Sequence, residues 1–159
     1  MCGLANGGHF WPWSRSTSCR DVRATHLIRL DQLLDLDKSD PVVLLSFAEL
    51  ALDHPNPEHL RLIAELSASV ENETPVHTAL LLYRARALVS LGLPDAAIDV
   101  LTLALRRRKD RPDELLRQVR YERALLYDGQ RRQAQARREF ERIYAEDPGF
   151  EDVAERLGL

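Results

Sequence analysis

Aromatic side chains make up only 6% of the 159 residues, while aliphatic and charged residues dominate. That balance disfavours a β-sandwich, whose strands draw on aromatic and β-branched residues, and favours helices packed through Leu and Ala. No run shows the strict apolar–polar alternation of a half-buried strand. No stretch approaches the roughly 20 apolar residues of a membrane span. The N-terminus lacks a basic region followed by an apolar run, so a secretory signal is not expected. The only two cysteines, Cys2 and Cys19, both fall in the first twenty residues, where a disulfide would staple nothing. A reduced, cytoplasmic protein follows as the expectation. Glycine-rich phosphate loops, a nucleophile elbow and a His-Glu-x-x-His run are all missing, which leaves no visible catalytic residue.

The chain does hold enough apolar material for one folded domain, with 45% hydrophobic and 30% charged residues. Its net charge of −3 is unevenly spread. Residues 1–80 carry 6 Lys/Arg against 11 Asp/Glu, and residues 81–159 carry 16 against 14. Residues 1–20 combine Gly, Ser and Trp without periodicity and read as a disordered or atypical leader ahead of a helical domain over 21–158. Trp11 and Trp13, flanking Pro12, give a minor alternative in which this segment docks into a groove.

Proline paces the remainder. Pro41, Pro57, Pro75, Pro94 and Pro112 stand 16, 18, 19 and 18 residues apart. Proline suits the first helical position, where its missing N–H would lack a partner anyway. Asp40, Asn56 and Thr74 immediately precede three of them and are good N-caps. Acidic residues follow in the first turn at Glu58, Asp95, Asp113 and Glu114, where the helix dipole favours them. The spacing predicts helices over 21–37, 41–53, 57–70, 75–92, 94–108, 112–129, 131–146 and 149–158. Short loops force neighbours antiparallel, so the expected architecture is all-α, a row of helical hairpins. Helix 75–92 is apolar around most of its circumference and belongs at the centre.

The hairpins repeat. Ala48, Ala85 and Ala124 coincide at spacings of 37 and 39. In the same register fall Leu60, Ala97 and Ala136, then Ala64, Leu101 and Phe140, then Ser67, Ala104 and Ile143. Small residues at fixed sites let two helix backbones approach, and bulky ones a turn later fill the groove to the next hairpin. This pattern resembles the tetratricopeptide repeat (TPR), a helix pair of about 34 residues. Residues 82–105 match best, through Ala85, Leu88, Gly92, Ala97, Leu101 and Ala104. The third pair matches through Ala124, Tyr127, Ala136, Phe140, Ile143 and Asp147-Pro148, but carries Arg120 where the family has a bulky apolar residue. The first pair, 41–70, is degenerate. Residues 149–158 resemble the terminal cap of a short α-solenoid.

The resemblance implies a non-catalytic scaffold or adaptor that binds a protein or peptide through a concave groove lined by the first helix of each pair. By register the groove-facing residues are Val42, Leu45, Glu49, Leu52, Ala79, Leu82, Arg86, Val89, Gln118, Tyr121, Leu125 and Asp128. The family's carboxylate-clamping version uses Lys, Asn and Arg at such sites; this sequence lacks that set. The apolar helix 21–37 is an equal candidate to cover part of the groove.

The strongest charge feature is basic: Arg106, Arg107, Arg108, Lys109 and Arg111, with Arg131, Arg132, Arg137 and Arg138. It supports an alternative reading as a nucleic-acid-associated protein, with Arg107, Arg108, Arg131 and Arg132 as the basic face. Interleaved acids such as Asp110, Asp113, Glu139 and Glu141, and the lack of an aromatic platform, favour a solvated helix face instead. His54 and His59 flank a Pro-Asn-Pro-Glu stretch beside Asp53, too few ligands for a tetrahedral metal site. No cofactor, metal or membrane partner is expected.

Overall fold

Asp40, Asn56 and Thr74 begin helices as their positions predict. In the computed structural model, which describes residues 19–37, 40–53 and 55–159, Asp40 Oδ1 accepts from the Val42 N–H at 2.8 Å. Asn56 Oδ1 accepts from the Glu58 N–H at 2.9 Å, and Thr74 Oγ1 from the His77 N–H at 3.3 Å. Each bond satisfies a donor that the first turn leaves open. Most of the leader, with Trp11 and Trp13, lies outside the described residues, as does His54.

The described residues form eight helices and no strand: α1 (Cys19–Leu36), α2 (Pro41–Asp53), α3 (Pro57–Leu66), α4 (Pro75–Ser90), α5 (Pro94–Arg106), α6 (Asp113–Gly129), α7 (Gln133–Glu146) and α8 (Val153–Leu157). The fold is an all-α stack of antiparallel hairpins, a short TPR-like α-solenoid. Several ends differ from the periodic pattern by one to four residues. Residues 67–69 turn away instead of extending α3, and the Ser67 hydroxyl caps by donating to the Ile63 carbonyl. The α5 helix stops at Arg106. Pro112 sits one residue before α6, with extended backbone (φ −58°, ψ 133°), not at its first helical position. Finally α8 spans five residues only.

Three apolar clusters follow the three hairpins. Leu44, Phe47, Ala48, Leu60 and Ile63 fill the first, with Leu34 of α1. The second holds Leu81, Ala85, Ala97, Leu101 and Ala104, and the third Ala124, Ala136, Phe140 and Ile143. The aligned residues of each hairpin, Ala48 with Leu60, Ala85 with Ala97 and Ala124 with Ala136, therefore share one cluster, and the small side chains there let the helix axes close up. Successive first helices also touch, α2 on α4 and α4 on α6, while α3, α5 and α7 flank them without touching one another. The result is an inner layer of α2, α4 and α6. Helix α1 packs on α2 and on no other helix.

Candidate partner-binding groove

Where α2 and α4 lie close along their length, α4 and α6 meet only briefly. Their separation opens a cleft of about 390 Å³. Val89 and Ala85 line it from α4, Leu125 and Leu126 from α6, and Leu101 of α5 forms its floor. One polar pair closes the wall: the Arg86 guanidinium donates through Nε (2.9 Å) and Nη2 (2.7 Å) to Glu122 Oε1. Arg86 also lies 5.2 Å from the centre of the Tyr83 ring, within cation–π range. Burial pushes the Tyr83 hydroxyl above its ordinary range, and the charge of Glu49 on α2 pushes the same way.

The chain folds like MamA. Two crystal structures of MamA superpose on it with TM-scores of 0.68 and 0.70. Both cover 89% of this chain and 81% and 73% of their own, at 17% and 16% sequence identity. That likeness is one of fold, the TPR-like helical stack. No protein-family model matches the sequence, and no curated protein matches it either.

Within this MamA-like stack, the residues assigned to the groove divide into five groups. Arg86, Val89 and Leu125 come together at the α4–α6 cleft. Val42 and Glu49 are exposed on α2, Val42 to 57%, with Leu45 and Leu52 half-buried against the first cluster. Leu82 is a correction: only 4% exposed, it belongs to the second core cluster and offers nothing to a partner. Tyr121 and Asp128 are engaged by the C-terminal segment. The Tyr121 hydroxyl donates to Asp152 at 2.6 Å, and Arg156 reaches Asp128 at 3.2 Å. Ala79 and Gln118 are half-buried in the inner layer.

The arginines do not make one face. Arg107 and Arg108 precede α6 whereas Arg131 and Arg132 follow it, and a 17-residue helix separates them by about 25 Å. Several are already occupied. Arg137 pairs with Glu141 at 2.9 Å, and Arg132 stacks 4.6 Å from the Tyr127 ring centre. Arg111, read as part of a solvated run, is 8% exposed. Its Nε donates to Thr78 Oγ1 (2.7 Å) and its Nη2 to the Asn72 carbonyl (3.0 Å). It ties the 107–112 connection back onto the one before α4, a tertiary role that charge patterning does not signal. Among the described residues no cluster of His, Cys, Asp and Glu could hold a metal ion, and no helix is long and apolar enough to cross a membrane.

Proposed function

We propose that the protein is a non-catalytic scaffold or adaptor that holds a partner polypeptide along the inner layer of α2, α4 and α6. The observation that carries this reading is the cleft between α4 and α6, where Val89, Leu125 and Leu126 stand beside a single fixed ion pair. A concave apolar site with a few placed polar groups is what binds an apolar side chain or an amphipathic segment. The helices contribute no group that touches a reacting atom in this reading, so a partner, not a substrate, is the natural occupant.

Affinity capture with the full chain tests the reading. Val89 is 40% exposed, so Val89→Asp places a charge at the cleft with little effect on folding. A partner retained by the wild type is expected to be lost with Val89→Asp and kept when Arg107, Arg108, Arg131 and Arg132 are reversed to Glu. The opposite pattern favours the basic segments. If it comes with nucleic acid binding whose log–log salt slope is about −4 or steeper, at about −0.9 per duplex phosphate, the nucleic-acid reading replaces this one.

A further inference from the structure

The cleft lies at one end of the stack. Val89 is the last residue but one of α4, and Leu125 and Leu126 fall in the last turns of α6. Short connections reverse the chain at every helix, so α2, α4 and α6 run one way and α1 the other. Cys19, the first residue of α1, therefore stands at the end where α4 and α6 finish. Helix α1 itself packs on α2 alone and leaves the cleft uncovered. The chain before Cys19 thus meets the stack on the side of the cleft mouth. That stretch holds both tryptophans of the protein, Trp11 and Trp13, on either side of Pro12.

Reach and chemistry choose between the two rings. From α1 past α2 and α4 to the cleft is about two and a half helix spacings, roughly 20–25 Å at 8–10 Å each. Trp11 stands eight residues before Cys19 and extends about 26–29 Å, whereas Trp13, six residues before it, extends about 20–22 Å. Pro12 biases Trp11 towards extended backbone, which such a span requires. An indole brings a large rigid apolar surface, and the cleft offers it Val89, Leu125 and Leu126 above Leu101. Arg86 lines the same cleft with its side chain 33% exposed, and a guanidinium pairs well with an indole face.

We infer that Trp11 seats in the α4–α6 cleft of its own chain, as an internal occupant that a partner has to displace. This rests on reading the cleft as the partner site. A segment tethered at about 1 mM effective concentration, binding at about 0.1 mM, fills the cleft about nine-tenths of the time. An incoming ligand then loses about tenfold in apparent affinity.

Because the helices contain no tryptophan, Trp-selective fluorescence of the full chain reports on residues 11 and 13 alone. Wild type is expected to emit blue of free tryptophan and to resist acrylamide quenching. The shift should persist in Trp13→Phe, largely vanish in Trp11→Phe, and be lost in Val89→Asp. Val42→Asp, at a residue 57% exposed near the start of α2, should leave it unchanged. A tryptophan-free, leucine-striped 16-residue peptide with Ser and Gln at its polar positions supplies the second readout. Trp11→Ala lies outside the helical stack, and it should bind this peptide about tenfold tighter than wild type. Free-tryptophan emission in wild type overturns the leader contact; if the peptide still binds and Val89→Asp abolishes that binding, the groove reading stands. A blue shift indifferent to Val89→Asp places the ring elsewhere and overturns the contact too. A shift that fades on dilution makes the occupant the leader of a second copy and overturns the intramolecular form. The expected fluorescence with no peptide bound even by Trp11→Ala upholds the contact and overturns the groove reading.

Discussion

Leu81 and Val100 in the α4/α5 hairpin occupy the register positions that Arg120 and Glu139 hold in α6/α7. The first hairpin repeats the apolar choice with Leu44 and Ile63. All six residues are buried, so the positions demand volume whatever fills them. In the third hairpin the volume is ionic. Arg120 Nη1 meets Glu146 at 2.7 Å, its Nε stands 3.8 Å from Glu139, and Glu139 in turn receives Arg123 at 3.0 Å and Arg142 at 3.4 Å. Two chemistries thus close the same helix pair. They differ in how they fail. An apolar pair loses contacts and leaves a cavity, while a buried ionic group deprived of its partner keeps the cost of its desolvation.

The largest effect should come from breaking the ionic side. Arg120→Ala is expected to destabilise by about 3 kcal/mol in urea unfolding, because Glu139 loses one of its cations while staying buried. Converting the third hairpin to the pattern of the second, Arg120→Leu with Glu139→Val, should return stability to within about 1 kcal/mol of wild type. A double variant as weak as the single one breaks the comparison, since the positions would then need charge itself. On the apolar side, Leu101→Ala should cost about 2–3 kcal/mol, and Ala97→Leu about 1–3 kcal/mol through overpacking of the close α4–α5 approach. Cooperative unfolding midpoints for both, with unchanged slope, check these values.

The turns that end α4 and α6 sharpen the contrast at smaller scale. Gly92 (φ +80°) and Arg131 (φ +61°) hold the same left-handed position, and the next residue's N–H closes each turn, Leu93 onto Leu88 and Arg132 onto Tyr127. Arginine is strained there and glycine is not. Arg131→Gly should raise stability by about 0.5–1 kcal/mol, seen as a higher Tm, whereas Gly92→Ala should lower it by about 1 kcal/mol. Equal responses at the two turns would show that φ is not what separates them.

The smallest effect is acid sensitivity, confined to the polar end. Hydrogen bonds from Arg156 and then from Tyr121 hold the Asp152 carboxyl below the usual carboxylate range. A group depressed in the folded state stabilises at pH values above its unfolded pKa of about 3.9 and loses that contribution as pH falls through the folded value. Wild type should therefore lose more stability than Asp152→Asn between pH 7 and pH 3. Matching losses in urea midpoints would remove Asp152 from the account.

Much of this architecture is written in local chemistry. Asp40, Asn56 and Thr74 act as caps because a side-chain oxygen two or three residues from an open N–H needs no distant partner. The alanine register is legible for a similar reason. Close helix approach requires small side chains at fixed intervals, so Ala85 and Ala97 announce their contact along the chain. Arg86, Val89 and Leu125 inherit their places from that same periodicity.

Other features depend on groups far apart in sequence. Nothing near Arg111 marks it as buried; Thr78 and Asn72, more than thirty residues earlier, accept its protons. Leu82 shares the spacing of the exposed residues, yet the neighbours brought around α4 enclose it. Tyr121 looks available until Asp152 takes its hydroxyl. The divided arginine face follows from the length of α6 between its halves, and the cleft from how briefly α4 and α6 touch. Periodicity and capping act within a few residues and so determine which segments are helices and which stripes face inward. Burial of a particular polar group and the width of a groove depend on pairwise distances between elements, which exist only once the hairpins have stacked.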